Sequence, residues 1–182
     1  MPQEKTNRYI LTGGPGAGKT TLLGHLGGQG IAVMPEAGRS IIRMQSQIDG
    51  QALPWRDRAL FAEQMLAWEL RSYEAAASLS GPVLFDRGLP DIVGYLRLEG
   101  LGVPAHISRA AQAFRYNPSV FIAPPWPEIF VQDAERRQDL ETAERTYEAM
   151  VSTYRELGYA LIELPRAPVG ERASFMNARI SG

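Results

Sequence analysis

The sequence predicts an α/β protein, a three-layer α/β/α fold built on a five-stranded parallel sheet with a short lid. Apolar runs recur at Arg8–Thr12, Ile31–Met34, Val83–Phe85, Val120–Ala123 and Tyr159–Leu164. Segments of helical spacing separate them, and short apolar strands alternating with helices belong to a parallel sheet covered on both faces. The first run also breaks directly into a glycine-rich turn, Gly13–Thr21, that re-forms as a helix.

That turn, Gly13-Gly14-Pro15-Gly16-Ala17-Gly18-Lys19-Thr20-Thr21, fits the phosphate-binding loop pattern G-x-x-x-x-G-K-[ST]. Backbone N–H groups converge on one anion only where the chain curls tightly with no side chains in the way, which calls for glycine. The helix opening at Gly18 adds the positive end of its dipole. Gly13 through Thr21 are therefore expected to cradle the phosphates of a nucleotide, ATP or alternatively GTP. Lys19 is expected to reach the outer phosphates, and the Thr20 hydroxyl to ligate Mg²⁺ bridging them. The competing dinucleotide fingerprint G-x-G-x-x-G fails, because Lys19 stands where its third glycine belongs.

The elements follow in order. Thr21–Leu26 has helical character, and Gly27-Gly28-Gln29-Gly30 stops it before the second strand. Ala37 to about Ile48 reads as a helix with Ile41, Ile42 and Met44 on its buried side. The longest helical pattern runs from Trp55 to Leu79, where Phe61, Met65, Trp68 and Leu66, Leu70, Tyr73 form adjacent stripes that read as core. Ser80-Gly81-Pro82 turns the chain into the third strand, Val83–Phe85. Leu89–Glu99 and Ala105–Arg115 read as helices split by a Gly-Pro turn, and Val120–Ala123 is the fourth strand. Pro124-Pro125-Trp126-Pro127 suits neither a helix nor a central strand. A charged segment from Gln132 to Asp139 falls within the expected lid, residues 126–140. A helix over Leu140–Leu157, the fifth strand and a last helix from Val169 to about Ile180 complete the chain.

Composition narrows the function. At 182 residues with 45% hydrophobic content the chain has the size of one domain, residues 1–182, with enough apolar mass for a core. A net charge of −1 gives no overall positive field for holding nucleic acid or an anionic membrane. The absence of cysteine excludes disulfides, thiolate catalysis and cysteine-ligated zinc. No apolar stretch approaches membrane-spanning length, so a soluble cytoplasmic protein is expected, monomer or homodimer.

In parallel sheets ligands sit at the carboxyl ends of the strands, and here those ends carry acids and bases together. Asp86 closes the third strand at the Walker B position, suited to hold Mg²⁺ beside Thr20; a helix cap or an ion pair with Arg87 is the plainer alternative. Glu36, after the second strand, is the acceptor-side carboxylate, a base or a hydroxyl anchor, or else only a helix-opening acid. Arg39 and Arg87 read as ligands of an anionic or polyhydroxyl acceptor or as surface pairs. Arg136 and Arg137 could close on the triphosphate from a flap, or belong to a solvated charged face. His25 and His106 lie in helical stretches and read as structural.

Taken together, GGPGAGKTT at Gly13–Thr21, PEAGR at Pro35–Arg39, FDRG at Phe85–Gly88 and QDAERR at Gln132–Arg137 resemble the P-loop kinases of the nucleoside and nucleotide kinase group. More narrowly, the chain resembles the AAA-type ATPase family that includes the kinase-like domain of the NAD-biosynthesis regulators; GYALIELP at Gly158–Pro165 and VGERASF at Val169–Phe175 look like that family's ending. The resemblance implies a P-loop NTPase fold, ATP or GTP with Mg²⁺, Glu36 facing the acceptor, Asp86 and Arg87 near metal and phosphates, a lid near Arg136, and Pro165–Val169 beside the purine. Thymidylate-kinase-like proteins carry Arg-Glu-Pro after the second strand, whereas here the order is Pro35-Glu36 with Arg39 three residues after the acid. The function expected is a small-molecule phosphotransferase. A regulatory NTPase with slow hydrolysis is the main alternative, and a zeta-toxin-like kinase of a larger sugar nucleotide is a third.

Overall fold

The structure, a computed structural model, describes residues 6–129 and 140–180. Its strands are β1 (Arg8–Gly13), β2 (Ala32–Met34), β3 (Val83–Asp86), β4 (Ser119–Ala123) and β5 (Ala160–Glu163). The helices are α1 (Lys19–Gly28), α2 (Ala37–Gln47), α3 (Arg58–Ala75), α4 (Leu89–Leu98), α5 (Ala105–Ala113), α6 (Leu140–Glu156) and α7 (Val169–Ile180). All strand pairs are parallel, in the order β2-β3-β1-β4-β5.

Alternation along the central strands sorts the side chains into two cores. Ile10, Val83, Phe85, Val120 and Ile122 face α2 to α6. Leu11, Leu84, Phe121 and Ala123 face α1 and α7. A strand flanked on both edges and covered on both faces must be apolar along its length, and β3 is buried at every residue. The outer strands depart from the fully buried runs expected of them. β2 is half-buried throughout, and both ends of β5 are exposed, because each has a neighbour on one side only.

Register sets the site. Leu11 lies opposite Asp86 and Gly13 opposite Ala123, so the loops after β1, β3 and β4 leave the sheet at one edge, with β1 in the middle. Met34 pairs with Phe85, which brings the chain after β2 out beside the chain after β3.

Two helical expectations need correction. The long helix begins at Arg58, capped by Asp57, whose carboxylate accepts the Leu60 N–H at 2.9 Å; Trp55 stands outside it and is exposed. The cap bond and the preceding Pro54 favour a turn over another helical turn. Met44 is exposed, because the buried residues of α2 all lie between Ala37 and Ile42. No described helix is long and apolar enough to cross a membrane.

Candidate active site

The loop between β1 and α1 is glycine-built for steric reasons. Gly13 has φ 138°, and a Cβ there would strike the Ala123 carbonyl of β4. A Cβ on Gly14 would strike the Ala143 carbonyl of α6. Gly16 and Gly18 take φ 70° and 79°, the left-handed region that glycine enters without strain. Lys19 is buried, and its Nζ donates to the Gly14 carbonyl at 2.9 Å, which keeps the ammonium against the loop. Pro15 and Ala17 are buried, whereas Thr20 and Thr21 are exposed on the first turn of α1.

Asp86 is buried at the end of β3. Burial raises its carboxyl above the usual carboxylate range, Lys19, Arg87 and Arg39 pull it down, and Asp91 pushes it up. Its Oδ1 is buried and has no hydrogen-bond partner among the described residues. An orphaned carboxylate oxygen costs free energy unless something outside the chain satisfies it, so Asp86 with Thr20 fits a hydrated Mg²⁺. Arg87 takes φ 66°, an uncommon conformation for a non-glycine residue, of the kind found where a site over-determines it. Its Nε lies 3.6 Å from Glu36 Oε1 and its Nη1 3.7 Å from Asp91 Oδ1. A Cβ on Gly88 would come within 2.5 Å of Ile10 Cδ1 and 3.1 Å of the Tyr116 ring, so a side chain there would have to push both aside.

Asp91 was not legible as a site residue, yet it gathers the site. It sits in the first turn of α4 and accepts from the Thr12 hydroxyl of β1, the Tyr154 hydroxyl of α6 and the Gly88 N–H. Three donors hold one buried carboxylate, which in turn faces Arg87. Its i, i+4 spacing from Arg87 was the available signal.

A cavity of about 1000 Å³ opens beside Pro15 and runs between α2, α3, α4 and α6. Glu36, Arg39 and Arg87 line it with Asp91, so the structure brings together the acceptor-side residues expected from the sequence. Phe61, Met65, Ile92, Tyr95 and Met150 form apolar walls, and Trp55, Arg43 and Arg145 also line it. Thus part of the Phe61–Met65 stripe serves the cavity as well as the core. A Cβ placed on Gly38 would lie 3.5 Å from Phe61 Cζ, 3.6 Å from Glu36 Oε1 and 3.6 Å from Met65 Sδ, so the space beside Gly38 is shared by the carboxylate and the apolar wall.

Residues 8–172 match a family described as an AAA domain. The chain belongs to that family. No curated protein matches it. Two solved structures of deoxyadenosine kinase from M. mycoides share the fold of this AAA domain. The one with bound dATP superposes with a TM-score of 0.59 at 12% identity, covering 96% of this chain and 100% of the kinase. The one holding the products dCMP and a flexible dCDP gives 0.65 at 13% identity, over 96% and 98%. The five-stranded parallel sheet with helices on both faces is thus the P-loop NTPase α/β fold of that kinase.

Two further residues of the AAA domain escaped the sequence reading. Arg172 of α7 is buried, donates from Nη1 to the Ala17 carbonyl of the phosphate loop at 3.0 Å, and has its guanidinium carbon 5.2 Å from the centre of the Trp126 ring. Glu69 of α3 is buried and lines the cavity. An arginine and a glutamate placed on otherwise apolar helix faces were the signals for both. Arg136 and Arg137 lie outside the described residues. His25 and His106 are exposed on their helices, with His106 Nε2 2.8 Å from Glu63.

Proposed function

We propose that this AAA domain is a phosphotransferase that moves the γ-phosphoryl group of ATP to a hydroxyl of a small nucleoside- or nucleotide-like acceptor. The observation that carries the reading is the shared space: one cavity reaches from Pro15 of the phosphate loop past Glu36 and Arg87 into an apolar chamber. A nucleotide switch needs the loop but not a second chamber of that size. The likeness to a deoxyadenosine kinase fold supports the same reading.

In the proposed reaction the loop N–H groups and Lys19 hold the phosphates and neutralise their charge. Thr20 and Asp86 would hold Mg²⁺, which when bound spreads the negative charge of the outer phosphates. Glu36 orients the acceptor hydroxyl and takes its proton as the oxygen bonds to phosphorus and the bond to ADP breaks. Arg87 keeps the Glu36 carboxylate in place, and Arg39 with Arg87 binds the polar parts of the acceptor. Positioning and electrostatics supply most of the rate.

The test is ADP release coupled to a panel of hydroxyl acceptors. Glu36→Gln is expected to lose about 10²- to 10⁴-fold in transfer while binding ATP as before. Normal turnover of that variant removes Glu36 from the mechanism. Slow ADP release that no acceptor accelerates would favour the regulatory NTPase instead.

A further inference from the structure

Glu69 has no place in the reaction above, yet it occupies the inner wall of the acceptor cavity. It follows Phe61 and Met65 at four-residue spacing on α3, so the three side chains form one stripe along the chamber. Phe61 and Met65 line the same cavity as Glu36, and Glu69 lies one helical turn, about 6 Å, beyond Met65. It is 3% exposed, and among the described residues no cation lies within ion-pair distance of it. Burying a carboxyl costs heavily unless it is neutral or paired. Here burial and the like charges of Asp91 and Asp86 push it well above the usual carboxylate range. A protonated carboxyl offers a donor and an acceptor side by side.

We propose that Glu69 determines acceptor specificity by reading an uncharged planar edge with a hydrogen-bond donor beside an acceptor, as a nucleobase presents. The ring would lie among Phe61, Met65 and Ile92, with its sugar hydroxyl towards Glu36. The chamber's size, at the upper end of the roughly 300–1,000 Å³ of small-molecule sites, suits a ring with its sugar rather than a sugar alone. The inference rests on the acceptor chamber proposed above, but it concerns recognition rather than transfer.

The experiment measures binding of 2′-deoxyadenosine, 2′-deoxycytidine and thymidine to the full chain by calorimetry, with 2-deoxyribose as the baseless control, and follows ADP release separately. At least one nucleoside is expected to bind more tightly than the sugar. Glu69→Ala should lower the nucleoside-to-sugar preference by about tenfold or more, the loss expected when a buried hydrogen-bonding partner is removed. Glu69→Gln, which keeps a donor beside an acceptor, should restore most of it; a loss of folding would not be rescued in the preference ratio. The inference is overturned if the wild type prefers no nucleoside over the sugar, or if Glu69→Ala leaves the ratio unchanged. Glu69-dependent binding without acceptor-stimulated ADP release would leave the inference standing and remove the kinase reading. ADP release driven only by baseless acceptors would do the reverse.

Discussion

Tyr154→Phe tests whether Asp91 is the joint between the phosphate loop and α6. The phenol is fully buried, and its hydroxyl donates to Asp91 Oδ2 at 2.5 Å. The substitution keeps the ring and its edge contact with Tyr159, whose centroid is 5.5 Å away, so the hydroxyl is the only group lost. A hydrogen bond to a charged group contributes about 1.5–3 kcal/mol. The carboxylate keeps Thr12 and Gly88 as donors, which places the expected loss near the middle, about 2 kcal/mol. For a chain of this length that corresponds to a fall in Tm of roughly 4–8 °C. Urea unfolding followed by circular dichroism measures the free energy directly. Thr12→Val removes a second donor to the same carboxylate, so the double variant should depart from additivity by at least about 0.5 kcal/mol. A loss under about 0.5 kcal/mol, or strict additivity, would refute the idea that one buried carboxylate ties β1 to α6.

Gly13→Ala and Gly30→Ala separate backbone strain from crowding. Both positions have positive φ, 138° and 91°, but only Gly13 would press a Cβ into a backbone carbonyl. Gly30→Ala should cost about 1–2 kcal/mol and Gly13→Ala clearly more, as read from urea midpoints; equal costs would show that β4 yields. Glu69→Gln should stabilise the fold increasingly as pH rises. The wild-type carboxyl titrates above its unfolded value, so its contribution is complete below about pH 4 and drains away as pH climbs towards the folded pKa, whereas glutamine does not titrate. Melting curves from about pH 5 to pH 9 should show the gap widen, and a constant gap would mean that Glu69 is charged in the fold. Arg172→Gln should weaken ATP binding by about tenfold, a hydrogen bond's worth, by releasing the Ala17 carbonyl from α7. An unchanged Kd in a fluorescence titration would confine Arg172 to packing.

Local chemistry made much of this legible in the sequence. Glycines that cannot bear a Cβ announced the loop between β1 and α1, and apolar runs announced the strands. Glu36 and Asp86 stood out because one follows a strand and the other ends one, at the sheet's carboxyl edge. The edge positions of β2 and β5 were not readable, since strand order is set by crossovers that span the whole chain. Asp91 takes hydrogen bonds from Thr12 and Tyr154, 79 and 63 residues away, and lines one cavity with Glu69, which no periodicity encodes. Trp55 misled because an aromatic before a helical stripe continues the pattern on paper, while Asp57 ends it in space.

The two cores have a consequence for how such a protein can change. α1, which carries Lys19 and Thr20, and α7, which braces the loop, lie on one face of the sheet, whereas the helices around the cavity lie on the other. The sheet separates the face that carries α1 and α7 from the face that carries the cavity, and the loops at its carboxyl edge reach both. Under the proposed function, exchanging cavity residues on α2, α3 and α4 should change which acceptor is taken and leave nucleotide binding by α1 and its loop unaltered.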